Sequence, residues 1–291
     1  MPFCFSAIRP GPAAEVCRTV ALALKRGGIA GWQHEADWLV AETTGMESLL
    51  ELRLERDRVL GAADCARLRE MVRRRLAGWP LQYVTGTAGF HDLDLAVGPG
   101  VLIPRPETEC LVSRALEHDP GAGAVCDVCT GSGAVGFALA RRLSPGRPVV
   151  CVDRSARALA WASFNRRRLS LSRVFLVQAD LLVGFAPSAR FGLIVSNPPY
   201  VSERSYRELP PEVRDHEPAA ALRAPEGGLG VFRRLSRQVP RHLRPGGWFL
   251  AEISPEQAET ACRILGQSGF STLCVYDDLN GRARVVAGRA P

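Results

Sequence analysis

Asn197, Pro198, Pro199 and Tyr200 place an amide, a free backbone carbonyl and an aromatic plate at consecutive positions. Neither proline can donate to a sheet ladder, and both have a fixed φ. Pro199 also drives Pro198 towards an extended backbone. The tetrapeptide is therefore a stiff loop, and it follows an apolar run, Phe191 to Ser196, that reads as a buried strand. Two acceptors, the Asn197 side-chain oxygen and the Pro198 carbonyl, lie beside the Tyr200 ring. Such a set suits a planar group bearing an NH2, which points to chemistry on an amide or amino nitrogen.

A second motif indicates what would be delivered there. The segment from Asp127 to Gly136 leaves one apolar run and enters a helix-like one, and Gly131, Gly133 and Gly136 satisfy G-x-G-x-x-G. Asp153 lies 20 residues after Gly133, at the end of the next strand-like run. In a dinucleotide enzyme this acid would take the ribose hydroxyls. S-adenosyl-L-methionine offers the same ribose and adenine without a pyrophosphate, and glycines let the backbone approach its methionine portion closely. Asp127 is expected to pair with the amino group of that portion. Asp180, beside Leu181 after the third strand, is expected to accept from the adenine amine. Acids after three successive strands fit this cofactor better than NAD. Thr130, Gly131, Ser132 and Gly133 complete the expected cofactor site, which Asn197 borders.

The elements that must position these groups are legible in outline. Glu15 to Lys25, Trp32 to Thr43 and Asp64 to Leu76 carry apolar residues at three-to-four spacing, punctuated by Gly27-Gly28 and Gly45, which predicts a small helical bundle. Asp64 is the expected N-cap of the third helix, and Gly78 and Pro80 its stop. Tyr83 to Gly86 and Phe90 to Val97 alternate with β-formers and predict a β-hairpin linker. Arg105-Pro106-Glu107-Thr108-Glu109 then opens a helix. From about residue 122, strand-like and helix-like runs alternate with short loops, which predicts a doubly wound, mostly parallel sheet. The last two strand-like runs, Ser271 to Tyr276 and Arg284 to Ala287, are joined by a turn and should form an antiparallel hairpin at one side. The expected division is 1–80 helical, 81–103 linker and 104–291 α/β.

Composition narrows the class. The chain has 291 residues, 46% hydrophobic, with no apolar run long enough for a membrane span. Met1 to Pro12 lacks a basic region followed by an apolar core, so no signal peptide is expected and a cytoplasmic location follows. The nine cysteines are scattered; Cys126 and Cys129 form a C-x-x-C pair with no second pair, so no zinc or redox site is expected. His91, His118 and His216 show no metal spacing. Net charge is +7 with Lys25 the single lysine. The triplets Arg73–Arg75 and Arg166–Arg168 fall on helix-like stretches and are expected to be solvated faces.

The ordered motifs carry a resemblance. Pro80-Leu81-Gln82-Tyr83, Val101 to Glu109, Thr130 to Gly133, Asn197 to Tyr200, Leu209 to Val213, Glu217-Pro218 and Asp278 to Arg282 together resemble the HemK/PrmC family, the N5-glutamine methyltransferases of peptide chain release factors. The match covers most of residues 79–289; the first 78 match in architecture more than in sequence. The resemblance implies a Rossmann-like, seven-stranded S-adenosylmethionine-dependent methyltransferase domain behind a helical substrate-docking domain and a hairpin linker. It implies a class-1 release factor as protein substrate, methylated on the glutamine of its Gly-Gly-Gln loop. No membrane or stable nucleic-acid partner is expected, and the protein is expected to be a monomer. Asn197 and Pro198 would accept from the glutamine NH2, Tyr200 would wall the amide, Pro199 would stiffen the loop, and Phe90 would close the pocket from the linker. Cys129 departs from the family, standing where a glycine is usual, and Ser254 replaces another glycine.

Other readings of the same residues stay open. An exocyclic adenine NH2 suits the acceptor pair equally, as in adenine-N6 nucleic-acid methyltransferases, although such enzymes need base flipping and a basic, aromatic recognition region. Aromatics are 7% here, with no insertion of that size. A ribosomal-protein glutamine methyltransferase, an NAD-dependent oxidoreductase and a non-catalytic relative of the fold are the remaining alternatives.

Overall fold

The computed structural model describes residues 5–46 and 48–291. The chain divides into two compact units, residues 1–86 and 87–291. Among the described residues no helix is long and apolar enough to cross a membrane.

The first unit contains helices α1 (Ala13–Arg26), α2 (Trp32–Thr44), α3 (Leu49–Leu54), α4 (Ala62–Leu76) and α5 (Leu81–Thr85), with a two-residue ladder between β1 (Gly11–Pro12) and β2 (Val59–Leu60). The apolar stripes of α1, α2 and α4 meet in one core that includes Val20, Leu24, Leu39, Val40, Leu68 and Val72. Three expectations need correction here. Asp64 is not the N-cap of α4. Gly61 is, and the Asp64 carboxylate three positions on accepts the Gly61 N–H at 2.9 Å. Tyr83 to Thr85 is helix rather than strand, opened after Pro80 and closed by Gly86 at φ 85°. Burial of Val84 in the helical core outweighs its β propensity, so the helical unit runs past residue 80 and the expected 81–103 linker is divided. Finally, Arg73–Arg75 is not a uniformly solvated face. Arg75 is buried and forks onto Glu35 at 2.6 and 3.0 Å, while Arg74 lies over the Trp79 ring at 4.3 Å.

The second unit begins with the hairpin β3 (Thr87–Phe90) and β4 (Leu93–Ala96). There follow β5 (Ala124–Val128), β6 (Val149–Asp153), β7 (Val174–Gln178), β8 (Phe191–Ser196), β9 (Leu243–Glu252), β10 (Leu273–Asp277) and β11 (Ala283–Arg289) in one seven-stranded sheet, ordered β10-β11-β9-β8-β5-β6-β7. The first five in chain order are parallel, and β11 runs antiparallel between β9 and β10. Every residue of β8 is buried, as a central strand covered on both faces requires. Val125, Leu193, Val195 and Leu250 face one core; Cys126, Ile194, Phe249 and Ala251 face the other. Helices α6 (Glu109–Glu117), α7 (Ala134–Arg142) and α8 (Ala156–Arg168) belong with the first core. Helices α12 (Gly230–Gln238) and α13 (Ala258–Gln267) belong with the second, and three short helices, α9 (Glu203–Arg207), α10 (Pro211–His216) and α11 (Ala219–Leu222), lie between β8 and α12. The sheet order reverses between β5 and β8, which opens a crevice at their carboxyl ends.

The hairpin belongs to this unit. Phe90, Leu93 and Leu95 join the first core, and the fully buried Asn165 of α8 ties β4 to the sheet. Asn165 accepts from Ala96 N at 2.8 Å and donates to the Ala96 carbonyl at 3.0 Å and the Ser132 carbonyl at 3.1 Å. The second arginine triplet is mostly the solvated face expected: Arg167 and Arg168 are exposed, Arg168 in a surface pair with Asp94, and only the half-buried Arg166 is tied inward, donating to the Val174 carbonyl.

Candidate active site

A cavity of about 380 Å³ occupies the crevice. Its floor is the loop from Cys129 to Ser132 between β5 and α7; Asp153 ends β6; Asp180 and Leu181 follow β7; Asn197 and Pro199 follow β8. Residues Gly100 to Arg105 and the segment from Pro218 to Pro225 provide further walls. This is the size range of small-molecule and cofactor sites.

The glycine loop is held by its neighbours. Gly131 N–H donates to Asp153 Oδ2 at 2.9 Å, and Ser155 N–H donates to the other oxygen at 2.9 Å. Asp153 is thereby fixed at the cavity wall, and burial raises its proton affinity. Gly133 sits at φ 94°, and a Cβ there would lie 2.3 Å from the Phe137 ring. Cys129 is itself left-handed at φ 64°. Glycine takes that conformation without strain; an L side chain holds it at a cost of about 1–3 kcal/mol. Asp180 makes an ion pair with Arg234 of α12 at 2.6 Å, and both residues line the cavity.

Asp127 differs from expectation. It is 1% exposed and does not line the cavity. Its Oδ2 accepts from the Thr130 hydroxyl at 2.6 Å and from Gly136 N at 2.9 Å, and among the described residues Oδ1 has no partner. Burial pushes this carboxyl up to about 7. Asp127 therefore braces the loop from beneath, because the turn after β5 folds back over the strand end.

The tetrapeptide is equally tied down. Asn197 Nδ2 donates to Thr108 Oγ1 at 3.1 Å. Among the described residues nothing donates to Asn197 Oδ1 or to the Pro198 carbonyl. Tyr200 donates its hydroxyl to Glu252 Oε1 at 2.9 Å, and burial beside that acid raises the phenol's proton affinity. Gln257 Nε2 donates to the Tyr200 carbonyl at 2.9 Å and the Gly227 carbonyl at 3.1 Å. Gly228, at φ 94°, passes so near that a Cβ would sit 2.0 Å from the Tyr200 oxygen.

Of the expected site residues, Thr130, Gly131, Ser132, Asp153, Asp180, Leu181, Asn197 and Pro199 line the cavity. Gly133, Pro198 and Tyr200 are chain neighbours of lining residues and do not themselves line it; Tyr200 is held back by its bond to Glu252. Phe90 does not line it either: it is 1% exposed, because the alternation of β3 buries Ala88 and Phe90 and carries the Phe90 ring into the first core. Four supporting residues were not singled out from the sequence: Asn165, Arg234, Glu252 and Gln257. Glu252, an acid ending the apolar strand β9, carried a readable signal; the other three sit in ordinary helical or turn sequence.

Comparison with known proteins follows the same division. Residues 15–86 match the family described as PrmC N-terminal domain, and residues 106–209 match Methyltransferase small domain. The chain is 40% identical over 268 residues to the release factor glutamine methyltransferase of Geobacter sulfurreducens, covering 91% of this chain and 92% of that one. It is 42% identical over 237 residues to the release factor glutamine methyltransferase of Koribacter versatilis, covering 81% and 83%. Among solved structures, the T. thermophilus 16S rRNA N2 G1207 methyltransferase, in complex with AdoMet and guanosine, matches at a TM-score of 0.51 and 18% identity, over 70% of this chain and 50% of that one. That likeness concerns the fold. With both halves matched in order and identity sustained along most of its length, the chain belongs to the release factor glutamine methyltransferase family.

Proposed function

We propose that this protein transfers a methyl group from S-adenosyl-L-methionine to the side-chain amide nitrogen of the glutamine in the Gly-Gly-Gln motif of class-1 peptide chain release factors. The observation that carries this reading is Asn197. It stands at the cavity wall with its NH2 engaged by Thr108, which leaves its side-chain carbonyl oxygen without a donor among the described residues.

The cavity fits the cofactor. Its volume is adequate, and Gly131 and Gly133 hold left-handed conformations that let the backbone come close to a ligand. Thr130, Gly131 and Ser132 would hold the methionine portion, Asp153 the ribose, and Asp180 with Leu181 the adenine. The bound cofactor supplies an electrophilic methyl group on a sulfonium centre, so the protein's part is positioning and charge stabilisation.

An amide nitrogen is a weak nucleophile because its lone pair is delocalised into the carbonyl. Asn197 Oδ1 and the Pro198 carbonyl would accept from the glutamine NH2. They aim the nitrogen and stabilise the positive charge that grows on it. The nitrogen would gain its bond to the methyl carbon as the carbon–sulfur bond breaks, the sulfur leaving as a neutral thioether, and would shed one proton to water. Pro199 holds the loop rigid, and Tyr200, anchored on Glu252, holds its far end. The helical unit, here residues 1–86, would dock the protein substrate.

Mass spectrometry of a release factor incubated with enzyme and cofactor tests this. One added methyl group on the Gly-Gly-Gln peptide supports it; methylation of a ribosomal protein or of nucleic acid instead would overturn it. Asn197→Ala should lower turnover about 10²–10³-fold, with cofactor binding by thermal shift unchanged.

A further inference from the structure

Asn197 carries a side chain whose two ends are alike in shape and opposite in hydrogen bonding. Turned one way it offers an acceptor to a substrate NH2; turned the other way it offers two donors and repels it. The orientation therefore has to be set by a neighbour.

That neighbour is Thr108, in the short turn Pro106–Thr108 that opens α6 and 4% exposed. Its Oγ1 accepts from Asn197 Nδ2 at 3.1 Å. A hydroxyl has one proton, so it can accept from Asn197 and donate once elsewhere. Its other neighbour is Glu252, at the end of β9 and 1% exposed. The Tyr200 hydroxyl already donates to Glu252 Oε1. Oε2 is buried and, among the described residues, has no hydrogen-bond partner, so it is an acceptor lacking a donor. Burial raises the proton affinity of Glu252, and the Thr108 and Tyr200 hydroxyls and the charge of Arg284, which pairs with Asp278 at 3.2 Å, oppose that rise.

We infer that Thr108 and Glu252 are positioning residues: Glu252 claims the Thr108 proton, which commits the Thr108 lone pair to the Asn197 NH2 and turns the Asn197 carbonyl towards the substrate amide. Three elements distant in sequence, the turn before α6, the loop after β8 and the end of β9, thus form one directional relay. The same carboxylate anchors Tyr200, so both ends of the tetrapeptide depend on Glu252. This inference rests on Asn197 acting as the acceptor.

Steady-state methylation of a release factor by the full chain tests it. Thr108→Val keeps the shape and removes the hydroxyl. It should lower kcat about tenfold or more, with KM for the protein substrate, the cofactor-induced thermal shift and the melting temperature little changed. Thr108→Ser should restore most of kcat. In an Asn197→Ala background, Thr108→Val should cost nothing further, because there is no amide left to orient. Full kcat in Thr108→Val, failure of Thr108→Ser to rescue, or an undiminished loss in the Asn197→Ala background would each overturn the relay. Undiminished turnover in Asn197→Ala alone would instead remove the acceptor reading on which it rests. Should Thr108→Val not fold, Glu252→Gln is the second probe. It should lower kcat in the parent and not in Asn197→Ala; an equal loss in both backgrounds would overturn the relay.

Discussion

Replacing Asn165 should damage both the fold and the cofactor loop, and the size of the effect can be worked from its contacts. The side chain is fully buried and satisfies three backbone groups: Ala96 N–H, the Ala96 carbonyl and the Ser132 carbonyl. Asn165→Ala leaves all three without a partner. A buried polar group left unmade costs about 1–3 kcal/mol, and partial relaxation brings three of them to about 3–5 kcal/mol. For a unit of this size, at about 2–4 °C per kcal/mol, the melting midpoint should fall by about 10 °C. Asn165→Asp is the sharper probe. It preserves volume yet aims a carboxylate at two carbonyl oxygens, so at pH 8 it should destabilise at least as much as alanine. Both variants should weaken S-adenosyl-L-methionine binding, because Ser132 loses its tether. Urea unfolding with cofactor titration is the assay. Stability of both variants within about 0.5 kcal/mol of the parent would refute the view that this side chain carries the hairpin and the loop.

Two further perturbations have clear signs. Asp127 is pushed up to about 7 by burial, above its usual 3.8, so the folded state holds its proton more tightly than the unfolded one. Its contribution is full at pH below about 4 and is lost as pH rises through 7, up to about 4 kcal/mol in all. Asp153 and Glu252 are raised in the same sense. Urea midpoints should therefore fall between pH 5 and pH 8. Asp127→Asn, which can keep the bonds from Thr130 and Gly136 on its carbonyl oxygen, should flatten that slope and be the more stable protein at pH 8; an unchanged slope would contradict the assignment. Gly228→Ala places a Cβ 2.0 Å from the Tyr200 carbonyl at φ 94°. It should cost about 3 kcal/mol or more and reduce kcat more than cofactor affinity, as read by kinetics beside calorimetry.

Much of the second unit could be read from local pattern. The apolar runs 124–128 and 191–196 are strands with those bounds, because central parallel strands are buried on both faces and read as unbroken hydrophobic stretches. The run 174–178 is also a strand with those bounds, but it is the half-exposed edge strand and was legible from its β-branched and aromatic residues. Tyr83 to Thr85 could not be read, since Val84 gains more by burial in the helical core than by extending. Phe90 misled for a related reason: resemblance indicated a face, and strand alternation together with the core claimed the side chain.

The sequence by itself determined the stations of the site: a glycine loop after one strand, acids after the next two, and Asn-Pro-Pro-Tyr after the fourth. These follow from short-range chemistry, in which glycines, prolines and strand ends constrain only their neighbours. Tertiary structure decided what each group is free to do. Asp127 is occupied beneath the loop, Asp180 is paired with Arg234, and the Asn197 amide is engaged by Thr108, 89 residues away in the chain. A hydrogen-bonding group can be engaged from any part of the sequence, so its availability to a substrate depends on which neighbours folding brings within about 3 Å of it.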